Sequence, residues 1–262
     1  MRRGLIVLGV LVFLWTLVLH APAAVIYGWI AGPTTPVRWY GLEGTVSEGK
    51  AAGVQASGTI VAKQLQWSMD LWQLLLARAA FHVQSFGRDA LMIDGKVAIN
   101  PLRTVHLSDM RISGTLRPLL AATGKPYLPL DAQASLHIER LTMRGGVPTD
   151  ARGVLQMQGL RWTLGRQPVP IGDFQASVAP ADDSLVATIT TIAGSLDASG
   201  SARLNSDQSY VIDLALRPGP GADPAIINLL QQTGSPDAQG AYRLRQTGQL
   251  TNANDLDPAP QQ

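Results

Sequence analysis

The sequence predicts a mainly β protein: a single N-terminal transmembrane helix, then a curved antiparallel β-sheet, an open trough or incomplete barrel, built from two similar units with short helices. Three observations carry this. Apolar residues recur at every second position in many short runs, the period of a half-buried strand. Gly, Pro, Asn and Asp separate the runs, with 26 glycines and 17 prolines in 262 residues, and these supply the turns between antiparallel neighbours. One segment only, Gly4 to Ile30, is apolar without any Asp, Glu, Lys or Arg.

That segment comes first in the chain. Gly4 to Leu19 has Thr16 as its one polar side chain and at 1.5 Å per residue spans roughly 24 Å, somewhat short of a ~30 Å hydrocarbon core. Apolar character resumes after His20 through Ala24-Val25-Ile26, and Tyr27 and Trp29 follow as residues suited to a membrane interface. Residues 1–31 therefore read as cytoplasmic start and anchor, with Leu5, Val10, Trp15, Leu19, Tyr27 and Trp29 as its membrane-contacting side chains. Arg2 and Arg3 favour a cytoplasmic N-terminus, which places the rest of the chain in the periplasm of a bacterial cell, behind a single pass of the inner membrane. Ala21-Pro22-Ala23 after a basic start is also the layout of a cleavable secretory signal, and that alternative stays open. Pro33 and Pro36 mark residues 32–39 as a linker.

Strands are expected next. Val54, Ala56, Gly58 and Ile60 alternate with polar residues, as do Leu65, Trp67 and Met69. Asp70 is a helix cap for Leu71 to Arg78, a stretch free of β-branched residues with its arginine in the last turn. Further strands are expected over Met92–Ile99, Val105–Leu116, Ala134–Met143, Val154–Leu164 and Leu185–Ile192, and most clearly over Leu196–Leu204 and Tyr210–Leu216. Asp223 and Pro224 open another helix. Residues 251–262 lose apolar character and read as a flexible tail.

The order of several fragments repeats. Leu65-Gln66-Trp67 resembles Leu160-Arg161-Trp162, and Gly95 to Asn100 resembles Gly200 to Asn205. Arg117-Pro118 is echoed by Arg217-Pro218, Leu120 to Gly124 by Leu230 to Gly234, and Asp131-Ala132-Gln133 by Asp237-Ala238-Gln239. Two units follow, 40–138 and 139–250.

Composition excludes several chemistries. Without cysteine there is no disulfide, thiolate metal site or thiol nucleophile. The net charge is +2 and Lys and Arg are scattered singly, so nucleic acid is not an expected partner. His20, His82, His106 and His137 lack the spacing of a metal site. Ser47-Glu48-Gly49-Lys50 matches the S-x-x-K of serine enzymes, but that geometry needs a helix, and Gly44, Gly49 and Gly53 favour strand and turn. No enzyme activity and no cofactor are expected. Trp39, Trp67, Trp72 and Trp162 recur at strand or helix starts; they are either core anchors or a surface for a protein partner or lipid.

In order, these features resemble protein N of the type II secretion system. The resemblance is carried by Pro22-Ala23 at the anchor's end, Leu42-Glu43-Gly44-Thr45-Val46, Gly49, Leu65-Gln66-Trp67, Leu74-Leu75, Leu130 to Ile138, Gly153 to Leu160, and Gly240-Ala241-Tyr242-Arg243-Leu244 with Gly248. Ser47 stands where that family has its second aromatic. The resemblance implies a non-enzymatic accessory component that assembles or stabilises an apparatus exporting folded periplasmic proteins. Its implied partners are the inner-membrane platform proteins and, as a further candidate, the outer-membrane secretin. In topology the chain also resembles AsmA-like proteins, which implies the alternative of a periplasmic protein that binds or transfers membrane lipid.

Overall fold

A computed structural model describes residues 20–30, 37–74, 78–87, 90–102, 104–125, 127–164 and 167–249. Its main body is one antiparallel sheet in which thirteen described strands pair strictly in chain order. They are β1 (Val37–Gly44), β2 (Glu48–Ala56), β3 (Thr59–Asp70), β4 (Ala79–Ser85), β5 (Met92–Ile99), β6 (Thr104–Thr115), β7 (Leu130–Arg144), β8 (Val147–Trp162), β9 (Val169–Ala181), β10 (Ser184–Gly194), β11 (Leu196–Asn205), β12 (Ser209–Pro218) and β13 (Tyr242–Gln249). Four short helices are described: α1 (Ala23–Ile30), α2 (Leu71–Leu74), α3 (Leu116–Ala122) and α4 (Pro224–Thr233). The sheet is open, with β1 and β13 each paired on one side.

Most expected strands are present, and several expectations change. Val54 to Ile60 is not one strand: Ser57 (φ 48°) and Gly58 (φ 80°) form a two-residue turn between β2 and β3, because consecutive positive φ matches the twist of a tight hairpin. The period-2 pattern ran on through that turn by coincidence. β1, β4 and β9 were not among the strands expected, and β1 begins at Val37, within the residues 32–39 expected to be a linker. β9 carries Pro170 and Gly172, residues that ordinarily end strands, and its ladder with β8 shifts register around them. The expected anchor residues Leu5, Val10, Trp15 and Leu19, and the tail 251–262, lie outside the described residues. No helix among the described residues is long and apolar enough to cross a membrane.

Alternation gives the sheet one apolar face. Register carries it from strand to strand, as in the row Leu136, Leu155, Ala176, Ile189, Gly200, Leu214 and Leu244 from β7 to β13. Two helices fold back onto this face. In α3, Leu116 packs with Ala132 and Ala134 of β7, and the helix also touches β3 and β6. In α4, Ile226 and Leu230 pack on Tyr242, with Val169, Ile171, Leu196 and Leu216 around them, which joins β9, β12 and β13. Strands four places apart in a flat sheet would be about 19 Å apart, wider than a ~10 Å helix. The sheet therefore curls around each helix. Elsewhere the core is thin, and among the described residues no large side chain is completely buried.

Strict alternation of direction also sorts the connections onto two rims. The turns β1–β2, β5–β6, β7–β8, β9–β10 and β11–β12 and helix α2 share one rim; α3 and α4 lie at the other. Ala21 and Pro22 join the first: Val46 N–H donates to the Ala21 carbonyl (3.1 Å) and Pro22 bridges to Thr45. We call it the tether rim and the opposite one the helix rim.

Candidate functional site

From that point α1 runs along β1 and roofs an apolar cleft of about 490 Å3. Ala23 and Tyr27 line it from the helix, Trp39 and Leu42 from β1, Leu65 and Trp67 from β3, Phe81 and Val83 from β4, and Val97 and Ile99 from β5. Alternation puts these side chains on one face, and Ala51 and Ala62, both buried beside Leu65, keep the cleft floor low.

The aromatic polar atoms are turned to the backbone. Trp67 Nε1 donates to the carbonyls of Thr45 and Val46 (3.2 Å each). Tyr27 Oη accepts from Trp39 N–H (3.2 Å) and donates to the Val37 carbonyl (3.4 Å). The Trp39 and Trp67 rings meet edge to face, 6.0 Å apart at 79°, and Tyr27 tilts against Trp39 at 6.4 Å. A Cβ at Gly49 would collide with the Trp67 ring and the Glu43 carbonyl, so only glycine lets that ring lie flat over β2. With the polar atoms bonded away from it, the cleft offers its occupant apolar surface and no acid, base or nucleophile.

The four tryptophans singled out from the sequence do not form one surface. Trp39 and Trp67 meet in the cleft, Trp72 stands 80 % exposed on the tether rim beside Leu71, and Trp162 ends β8 on the helix rim. Tyr27, expected as an interfacial residue of the anchor, has its hydroxyl bonded to β1. Trp29 lies on α1. A short apolar helix reads identically whether it enters lipid or a protein cleft, so the sequence carried no signal for this docking.

On the polar face, Ser68, His82, Lys96, Ser108 and Arg140 line a concavity of about 470 Å3 with Arg78. The basic side chains among them, beside which Asp70 also lines the concavity, are far apart in sequence and meet because β3 to β7 are neighbours. Arg140 is held by Asp150 (2.7 Å). His82 Nε2 lies 3.0 Å from Asp94 Oδ1 without the alignment of a hydrogen bond, and His106 Nδ1 is 3.2 Å from Thr142 Oγ1. The histidines serve separate local contacts, and among the described residues no three His, Asp or Glu side chains converge on a metal position. In the S-x-x-K stretch Ser47 Oγ pairs with Thr45 Oγ1 (3.0 Å) while Lys50 binds Glu43 (2.9 Å). Serine and lysine thus have separate partners, as the strand-and-turn reading requires.

Two carboxylates stabilise turns. Backbone N–H bonds from Ala241 (2.9 Å) and Gln239 (3.0 Å), with Arg243 beside them, hold Asp237 below the ordinary carboxylate range, the Ala241 bond contributing most. The Ser209 hydroxyl and N–H do the same for Asp207.

An open antiparallel sheet paired in chain order, with one apolar face, an aromatic cleft and short helices folded onto it, defines a mainly β protein of single-sheet architecture. The chain belongs to the type II secretion system protein N family, whose model matches residues 35–245. It is 27% identical over 250 residues to the type II secretion system protein N of Vibrio cholerae serotype O1, covering 91% of this chain and 95% of that protein. It is 24% identical over 261 residues to the protein of that name from Aeromonas hydrophila, covering 91% and 94%. No solved structure matches.

Proposed function

We propose that this chain is a non-enzymatic accessory component of the type II secretion system. Gly4–Leu19 anchors it in the bacterial inner membrane with the N-terminus cytoplasmic, and the sheet stands in the periplasm and helps assemble or stabilise the apparatus. Family membership carries the reading. Its partners are the inner-membrane platform proteins, with the outer-membrane secretin as a further contact. Photocrosslinking in secreting cells, with the probe placed along β1, β13 and the two rims, is expected to recover a platform protein. Recovery of none from any position overturns the reading.

The apolar cleft supports a second reading, that of an AsmA-like lipid-binding or lipid-transfer protein, because an aromatic-lined groove without charge suits an acyl chain better than a polar peptide. Native mass spectrometry of the full chain released from membranes is expected to retain a lipid, and a Leu65→Asp variant to lose it; absence of lipid from the unmodified chain removes this reading.

The two-unit organisation is also part of the proposal. α3 bridges β3 to β7 and α4 bridges β9 to β13, six strands later in each case, and the pairs Leu120–Gly124 with Leu230–Gly234 and Gly95–Asn100 with Gly200–Asn205 follow that shift. Leu65–Trp67 with Leu160–Trp162 does not, since those lie on β3 and β8.

A further inference from the structure

The tether rim is divided. Its first half, from β1 to β6, exposes Leu71 (56 %), Trp72 (80 %), Ile99 (43 %) and Leu102 (82 %). In the second half the turns are Gly145-Gly146, Asp182-Asp183 and Ser206-Asp207-Gln208. The apolar half is the half to which Ala21 and Pro22 are bonded, and Ala21 is two residues past the end of the apolar run Gly4–Leu19. Six strands at about 4.8 Å put this patch within roughly 24 Å of the tether.

We infer that the β1–β6 half of the tether rim rests on the membrane surface, with Trp72 and Leu102 seated among the lipid headgroups. This rests on the proposed anchor. A sheet hydrogen-bonded to the residue next to a membrane-entering run cannot stand off on a free linker, so the rim beside the bond is held at the interface. Exposed tryptophan and leucine at that depth transfer from water to an environment that accepts both ring and indole N–H. The rim's carboxylates are few: Glu43 is matched by Lys50, Glu48 is exposed at the β1–β2 turn, and Asp70 Oδ1 accepts from Trp72 N–H (3.1 Å), which fixes the orientation of α2. Arg78, just after α2, is exposed and suits lipid phosphate. The helix rim also exposes apolar side chains, including Tyr127 (94 %) and Leu164 (70 %). The 12 residues of β3 at about 3.3 Å each set it roughly 40 Å from the tether, so the two rims cannot rest on one surface.

The cysteine-free chain permits a clean test. Single variants Val10→Cys, Trp72→Cys, Leu102→Cys, Tyr127→Cys and Leu164→Cys of the full chain are labelled with an environment-sensitive fluorophore. They are then reconstituted in phosphatidylethanolamine and phosphatidylglycerol vesicles carrying headgroup or acyl-chain spin labels. Positions 72, 102, 127 and 164 are all exposed in the protein, so a difference among them comes from the bilayer. The expected result is loss of emission at 72 and 102 with the headgroup quencher, and none at 127 and 164. Equal quenching at all four, or a blue shift at 72 and 102 without lipid quenching, as a second copy would cause, overturns the inference. The label at Val10 tests the anchor by itself. Acyl-chain quenching there without quenching at 72 and 102 leaves the anchor standing and overturns the rim contact. If Val10 is not quenched, the anchor reading fails, and quenching at 72 and 102 still decides the rim in either direction.

Discussion

The Trp67 indole fastens the cleft to the β1–β2 turn, since its N–H is shared by the carbonyls of Thr45 and Val46 while its ring meets Trp39. Trp67→Ala removes the ring and leaves those carbonyls without their donor. Because the site is half-buried, the expected loss is on the order of 2–3 kcal/mol, below the ~3–5 kcal/mol of an enclosed tryptophan; Trp67→Phe keeps most of the ring and is expected to cost about 1 kcal/mol. Urea titration distinguishes the two. Gly49→Ala acts on the same contact from below by driving a methyl into the ring, with an expected cost of about 1–3 kcal/mol from overpacking. Asp237 gives a pH prediction. Its folded pKa lies below the ordinary carboxylate value, so its contribution to stability is present above that ordinary value and is lost as pH falls through the lower folded one. The turn before β13 is therefore expected to loosen only in strong acid, with the Ala241 amide gaining exchange there, and Asp237→Asn to remove that pH dependence.

At the level of elements, α4 shows how much of the fold rests on a short amphipathic helix. Asp223 Oδ1 accepts from Ala225 N–H (2.8 Å) as its N-cap and Pro224 occupies the first turn; Asp223→Ala is expected to cost about 1 kcal/mol. Ile226 and Leu230 are the side chains that draw β9 toward β12 and β13. Ile226→Ala is expected to cost about 2–4 kcal/mol and to raise amide exchange in β13, an edge strand with one neighbour, whereas Leu229→Ala, at an exposed position, leaves both unchanged. The helix starts were legible in the sequence because a cap is local chemistry: Asp70 and Asp223 each accept a backbone N–H two residues on. The β2–β3 turn was not, because Gly58 fell in phase with the alternation on either side.

Over the whole molecule, the expected boundary at 138/139 lies inside β7, where the ladder with β8 shifts register between Ile138 and Arg140 and the strand continues on either side. Moreover, β7 and β8, at 15 and 16 residues, are the longest strands described. The two units, taken as repeats, therefore share the most extensive ladder among the described residues. Urea unfolding of single-tryptophan variants retaining Trp67 in β3 or Trp162 in β8 is expected to give coincident transitions; midpoints that separate would show that the units fold independently.

The sequence by itself determined what depends on near neighbours. Period-2 runs specified a β protein with one apolar face, capping residues specified two helix starts, and the absence of cysteine fixed how the chain can be stabilised. The order of its fragments was enough to point to the family. Only the tertiary structure decided what depends on strand order and curl: that Trp39 and Trp67 share a cleft while Trp72 and Trp162 stand on opposite rims, that scattered bases meet on the polar face, and that Tyr27 binds β1. The physical reason is that a residue's period places it on a face of its own strand, whereas its partners are set by register with strands tens of residues away. Apolar character alone cannot tell a helix bound for lipid from one bound for a cleft.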